Sequence, residues 1–241
     1  MSEQSFIRLM HGINQREPVR ENLRALIHKS LTGTPFSEEC LTLIDTAFDI
    51  AFDGHVDTPP RSSGEAYIFH IVRSAIRMIE RQKKFRVFDV LCIVEIIVHD
   101  CFEEVAKNRG HIHSVLEMSH VQLLLGTKVA EDTRCVTKQK HIGETNEMYH
   151  ARLLETKSWR PLIVKPEDRI DNMWTIKAMG NEKAQQKIKE TELWFPKYEQ
   201  AVTAIVFRKI TQGSMSPSWI PYIKTLYQEL RDITRQQKLD L

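Results

Sequence analysis

The sequence predicts an all-α fold. Glycine and proline are scarce, nine of each in 241 residues, and they gather in a few places, so long segments contain neither. Within these segments the apolar residues recur at helical spacing, as they do from Tyr67 to Ile79. No segment shows the convincing apolar–polar alternation that is typical of strands. Together these observations favour a bundle of helices.

Turn and capping residues divide the chain into helical segments. Ser37, followed by two glutamates, is a typical cap for a helix that reaches about residue 52. Residues 53–65 form a loop by their Gly, Pro and Ser content. Pro196 predicts a kink or a break in a long helix. The predicted helices cover residues 3–16, 18–31, 37–52, 67–79, 85–106, 144–155, 181–210 and 219–241, with shorter helices between 110 and 135.

Composition excludes several classes of function. The net charge is only +2, from 34 basic and 32 acidic residues, so no overall field points to nucleic acid or a membrane surface. The longest apolar run is too short to span a bilayer. The four cysteines have no zinc-site spacing, and the N-terminus has no signal-peptide pattern, so we expect reduced thiols and a cytoplasmic protein.

One short stretch carries the strongest chemical signal. The apolar run from Val90 to Val98 ends abruptly in His99 and Asp100, and two glutamates, Glu103 and Glu104, follow one turn later. Neighbouring His and Asp side chains can bind one divalent metal, and carboxylates one turn further on can accept a proton from a coordinated water. A His-Asp pair alone is common, so further ligands must come from other helices.

Two other buried-looking polar residues bear on this hypothesis. His70 lies beside the apolar face of its helix, where a lone histidine is usually a core residue, and it becomes a ligand candidate because His99 and Asp100 need a partner. Glu95 is one turn before His99. It either leans to solvent or accepts a hydrogen bond from the imidazole of His99, and the sequence favours neither interpretation.

A second polar cluster follows the apolar stretch 161–164. Asp168, Asn172 and Thr175 fall on one helical face at spacings of four and three, which favours the lining of a pocket. Arg169 and Asp171 are expected to point away from that face. Pro166 predicts an interruption just before Asp168, and the new first turn would direct Lys165 inward.

These clusters occur in an order that resembles the HD-type alarmone hydrolases, the (p)ppGpp hydrolase domain of the RelA/SpoT family and its stand-alone small relatives. Weaker similarities to that family occur between residues 125 and 138. The resemblance covers roughly residues 50–200. It rests on three motifs, Arg61-Ser62-Ser63-Gly64-Glu65-Ala66-Tyr67-Ile68-Phe69-His70, His99-Asp100-x-x-Glu103-Glu104 and Asp168-Arg169-x-x-Asn172-Met173.

The resemblance implies an HD-domain-like helical bundle with N- and C-terminal helical extensions, in a single domain over residues 1–241. It also implies a nucleotide substrate and hydrolysis of the 3′-pyrophosphate of ppGpp and pppGpp. It assigns the roles as follows: one divalent metal, usually Mn²⁺, on His70, His99, Asp100 and Asp168; catalytic acids at Glu103 and Glu104; substrate contacts at Arg61, Lys165, Asn172 and Thr175.

The departures from the family pattern leave the substrate open. The second catalytic acid is usually Asp but is Glu104 here, and Ser62 replaces a usual lysine that would attract phosphate. Two alternatives therefore remain: an HD phosphohydrolase acting on another nucleotide, such as an adenosine alarmone or the 2′-phosphate of a dinucleotide, and a catalytically silent nucleotide-binding regulator. A homo-oligomer is compatible with the sequence, which does not fix the oligomeric state.

Overall fold

The all-α prediction is confirmed. The computed structural model describes residues 16–55, 58–103 and 110–241, and this part of the chain contains helices and no strand. None of its helices is long and apolar enough to cross a membrane. The predicted helix 3–16 lies outside the described residues. The α-helices are α1 Arg16–Leu31, α2 Glu38–His55, α3 Tyr67–Phe85, α4 Val90–Val98, α5 His111–Leu125, α6 Thr127–Val136, α7 Asn146–Leu154, α8 Pro161–Trp174, α9 Asn181–Thr211 and α10 Trp219–Leu239.

The centre of the bundle is the short helix α4. Its residues from Cys92 to Val98 are all buried, including Glu95. A helix that is apolar on every side must be covered on every side, and here α2, α3, α6 and α8 pack around it. The end of α4 therefore projects the residues after Val98 into the middle of the protein.

The start of α4 is fixed by one aspartate, and this corrects the predicted helix 85–106. Residues up to Phe85 belong to α3, which ends where Arg86 adopts a left-handed backbone with φ +52°. Asp89 then caps α4 by accepting from the Cys92 amide at 2.9 Å. Arg160 holds both oxygens of Asp89 at 2.9 Å, so α4 is tied to the residue just before α8.

Helix α8 is continuous through Pro166, so the predicted interruption is wrong. Proline has no amide hydrogen, and the carbonyl of Leu162, four residues earlier, therefore has no partner within the helix. The Tyr227 hydroxyl of α10 donates to that carbonyl at 2.6 Å. A side chain from a distant helix thus replaces the missing main-chain bond. Helix α9 likewise runs unbroken through Pro196.

Glu95 fits neither interpretation left open by the sequence. Its side chain is buried, and neither carboxyl oxygen forms a hydrogen bond with any described residue. His99 instead pairs through Nδ1 with the carbonyl of Ile96 at 2.7 Å. Burial, followed by the nearby carboxylate of Asp132, raises the pKa of Glu95 well above its ordinary value. The folded protein therefore keeps the proton of Glu95 to a higher pH than the unfolded chain does.

The bond from Tyr227 to Leu162 predicts a specific loss of stability. Tyr227→Phe leaves the buried carbonyl without a donor, so we expect unfolding in urea at constant pH to show a loss of about 1–3 kcal/mol. Tyr222→Phe is the matched control, because Tyr222 is also buried on α10 and its hydroxyl has no hydrogen-bond partner among the described residues. Equal effects of the two substitutions would contradict this role of Tyr227.

The raised pKa of Glu95 predicts a pH-dependent effect of Glu95→Gln. The folded protein retains a proton that the unfolded chain releases above its ordinary pKa of 4.5, so stability falls as pH rises above that value. Glutamine removes this dependence. We expect urea unfolding to show no gain from Glu95→Gln at pH 4 and a gain that grows toward pH 8, by at most about 1.4 kcal/mol per pH unit. Glu155→Gln, at an exposed position, is the control and should show no such trend. A gain in the free energy of unfolding of Glu95→Gln that does not change with pH would contradict the raised pKa of Glu95.

Candidate metal centre

Four residues from three parts of the chain bring their ligand atoms together. His70 lies in the first turn of α3, His99 and Asp100 follow α4, and Asp168 lies in the middle of α8. One ligand atom from each lies within 4.8 Å of the others. His70 Nε2 is 3.2 Å from Asp168 Oδ1, and His99 Nε2 is 3.2 Å from Asp100 Oδ2. These are the four residues that the resemblance assigned to a metal.

The cluster fits a divalent cation. Atoms that share a metal at about 2.1 Å lie about 3–4 Å apart, as the closest of these donor atoms do. His99 Nε2 is buried and forms no hydrogen bond with any residue that the structure describes, which is costly unless a cation binds there. Two imidazole nitrogens and two carboxylates suit metals such as Mn²⁺.

Opposite charges also stabilise the cluster. Burial alone would lower the pKa of each imidazole, but the neighbouring carboxylates outweigh it and raise the pKa of His70 to about 9 and that of His99 to about 10. Burial likewise would raise the pKa values of Asp100 and Asp168. The imidazoles, and Lys165 beside Asp168, hold both well below their ordinary range. The carboxylates are therefore ionised and available as ligands.

Direct hydrogen bonds orient both carboxylates. The Tyr67 hydroxyl donates to Asp100 Oδ2 at 2.7 Å, and Lys165 Nζ donates to Asp168 Oδ2 at 2.7 Å. Asn172 donates its side-chain amide to the other oxygen of Asp168. Two predicted substrate contacts, Lys165 and Asn172, thus touch a candidate ligand directly. The sequence did not predict any role for Tyr67, although its place one turn before His70 on α3 was a usable signal.

Asp171 points away from the face of Asp168, as expected, but the expectation gave it no part in the site. It faces away from the Asp168 side of α8, but that direction leads to the back of His70, whose Nδ1 it contacts at 2.7 Å. Arg61, the third predicted substrate contact, donates to Asp171 at 3.0 Å and also to Asn172. Its side chain is 8% exposed. Arg61 is thus largely held by protein groups.

Glu103 stands at the entrance to the cluster. It lines a cavity of about 190 Å³ together with Asp100, Lys165 and Asp168. Its carboxylate forms an ion pair with Lys140, which comes from the basic stretch after α6. Glu104, the other predicted catalytic acid, lies outside the described residues.

The remaining predicted positions differ in their relation to this cavity. Asn172 lines it, whereas Thr175 follows the end of α8 and is not part of the lining. Ser62 lies in an exposed turn before α3. Lys187 of α9, which the sequence did not bring forward, also lines the cavity. The lining of the cavity therefore includes both carboxylates and lysines.

Comparisons with known proteins agree with this geometry. No protein-family model matches the chain. It is 25% identical over 162 residues to a protein of Mycoplasma genitalium named probable guanosine-3′,5′-bis(diphosphate) 3′-pyrophosphohydrolase, and 25% identical over 166 residues to the protein of that name from Mycoplasma pneumoniae. It is 28% identical over 158 residues to the guanosine-3′,5′-bis(diphosphate) 3′-pyrophosphohydrolase of Aquifex aeolicus.

The coverage of these matches is unequal. They include 65%, 66% and 64% of this chain but only 21%, 22% and 20% of the respective relatives, so the chain spans about a fifth of their length. The shared part is nevertheless most of this chain. The resemblance carried by the three sequence motifs is thus confirmed, and the chain is a distant relative of the guanosine-3′,5′-bis(diphosphate) 3′-pyrophosphohydrolases.

Proposed function

We propose that this protein hydrolyses the 3′-pyrophosphate of ppGpp and pppGpp in a reaction that depends on one divalent cation, Mn²⁺ in the first instance. The products are GDP or GTP and pyrophosphate. The observation that carries the proposal is the convergence of His70, His99, Asp100 and Asp168 from three separate parts of the chain. The names of the three relatives support the choice of substrate.

In this reaction the oxygen of water bonds to the phosphorus carried by the ribose 3′ oxygen, and the bond between that phosphorus and the 3′ oxygen breaks. The ribose 3′ oxygen takes up a proton and becomes a hydroxyl, and pyrophosphate is released. A cation bound by the four ligands would lower the pKa of a water molecule and polarise the phosphate. Glu103 is the described carboxylate best placed to accept the proton from that water, because it lines the same cavity as Asp100 and Asp168.

Lysines at the site offset the negative charge of the pyrophosphate group that is transferred to water. Lys165 is half-buried, which lowers its pKa, but the adjacent carboxylate of Asp168 outweighs this effect and raises the pKa, so Lys165 is a cation at neutral pH. Lys140, paired with Glu103, lies at the opening of the cavity. Both lysines can exchange part of their contact with a carboxylate for contact with a phosphate oxygen.

The size of the cavity limits what it can hold. About 190 Å³ suits a diphosphate but is below the range of cavities that enclose a whole nucleotide. A larger cleft of about 710 Å³ adjoins it at Glu103, and Lys138 and Arg134 line that cleft. The nucleoside therefore extends out of the metal cavity toward that cleft.

A second candidate substrate follows from the same part of the structure. Ser62 is exposed and carries no charge, and Arg61 is held by Asp171 and Asn172. Two positions expected to contact the nucleotide thus contribute less charge than the family pattern implies. This observation favours, as the alternative, an HD phosphohydrolase that acts on another nucleotide.

A substrate panel tests the proposal. We expect purified protein with Mn²⁺ to release pyrophosphate from ppGpp, and to lose this activity after treatment with a chelator. His99→Ala should abolish both Mn²⁺ binding and turnover, because it removes one ligand of four. Release of phosphate from an adenosine alarmone or a 2′-phosphorylated dinucleotide, without release from ppGpp, would replace the proposal with the alternative. If no nucleotide is turned over in the presence of metal, the remaining interpretation is a catalytically silent nucleotide-binding protein.

Glu103→Gln separates proton transfer from metal binding. Glutamine has nearly the same size but cannot accept the proton, so we expect kcat to fall about 10²–10⁴-fold. Mn²⁺ affinity should change little, because Glu103 is not among the four ligand residues. The control is Glu131→Gln, an exposed acid on α6. A kcat for Glu103→Gln equal to that of the parent would move the role of base to another group.

A further inference from the structure

Asp171 is the most heavily engaged carboxylate near the cluster, although no substrate role requires it. It is fully buried in α8 and is not one of the four ligand residues. One of its oxygens lies 2.7 Å from His70 Nδ1. The remaining contacts come from arginines, namely Arg61 at 3.0 Å, Arg73 at 2.8 and 2.9 Å, and Arg77 at 3.2 Å.

The contact with His70 determines which ring nitrogen faces the cluster. A carboxylate can only accept, so Nδ1 of His70 must carry the hydrogen in this bond. A metal binds a histidine only as the neutral imidazole, and with the hydrogen on Nδ1 the nitrogen left to bind it is Nε2, the atom that lies 3.2 Å from Asp168 Oδ1. The two histidines are held differently, because His99 Nδ1 faces the neutral carbonyl of Ile96.

The arginines explain why Asp171 stays behind His70. Arg73 contacts both oxygens of Asp171, and Glu65 in turn fixes Arg73 with two hydrogen bonds. This frame offsets the charge of a buried carboxylate, which would otherwise be costly. It also fixes the orientation of the Asp171 carboxylate behind His70.

We propose that Asp171 is a positioning residue that holds the His70 ring with Nε2 toward the metal and strengthens that nitrogen as a ligand. Carboxylates behind a ligating histidine typically contribute 10–100-fold to metal affinity. The proposal deepens the proposed function, since it rests on the same metal cluster. It concerns metal binding and does not depend on which nucleotide is hydrolysed.

The test compares two buried carboxylates of α8. Asp171→Asn removes the charge behind His70. Glu167→Gln is the matched control, because the Glu167 side chain is equally buried and its described ion pairs are with Arg77 and Arg81, not with a ligand residue. Mn²⁺ affinity is measured by the electron paramagnetic resonance signal of free Mn²⁺. We expect a 10–100-fold weaker affinity for Asp171→Asn and a change of less than threefold for Glu167→Gln.

A second measurement on the unsubstituted protein avoids any loss of folding in the variants. With diamagnetic Zn²⁺ in place of Mn²⁺, long-range ¹⁵N–¹H NMR spectra should show His70 protonated at Nδ1 and bound to the metal through Nε2. Binding through Nδ1, or equal losses of affinity in the two variants, would overturn the proposal. Intact Mn²⁺ binding without turnover of ppGpp would count against the proposed substrate and leave the role of Asp171 standing.

Discussion

Three buried carboxylates and the half-buried Asp100 lie close together around α3, α4 and α8, and the structure around them depends on their neutralisation. Asp100 and Asp168 face two imidazoles and Lys165, whereas Glu167 and Asp171 face arginines from α3. A buried charge without a partner would cost several kcal/mol, so the packing of these helices and the pairing of these charges depend on each other. The arginines neutralise the carboxylates of Glu167 and Asp171 behind the cluster, and a bound cation would neutralise those of Asp100 and Asp168 within it.

The pairing of charges also explains why the acids of α8 have different roles. Acids on different faces of this helix contact different neighbours. Asp168 faces the ligands, and Asp171, less than one turn later, faces α3 and its arginines. A helix that carries charges on two faces can pack in the core only where each face meets a partner. Helix α8 therefore fixes both the candidate ligand Asp168 and Asp171, the residue behind the candidate ligand His70.

Much of the site could be predicted because its ligands occur in short motifs. The abrupt change from the apolar run to His99 and Asp100 indicated where to search for a metal site, and the motifs around His70 and Asp168 supplied the other ligand candidates. The apolar run also predicted that α4 would be buried. The backbone between elements was harder to predict. Pro166 reads as an interruption in the sequence, since the compensating hydroxyl of Tyr227 comes from 61 residues further along the chain.

The role of Asp171 was missed for a related reason. Helical spacing alone placed it opposite Asp168, which was correct, but spacing does not show what lies on the opposite side. The pattern of α3 contained the missing information. Arg73 and Arg77 follow His70 at intervals of three and four residues within a largely apolar helix, and cations in such places need buried acids.

The end of α4 has a consequence for how this site can change over evolutionary time. The α-helix stops at Val98, so His99 lies in the following turn and its ring is held by the main-chain carbonyl of Ile96. No substitution of a side chain can delete that carbonyl. The other histidine depends on a side chain that a single nucleotide change can alter. Variation among descendants of this protein would therefore adjust metal affinity through one histidine while the other keeps its orientation.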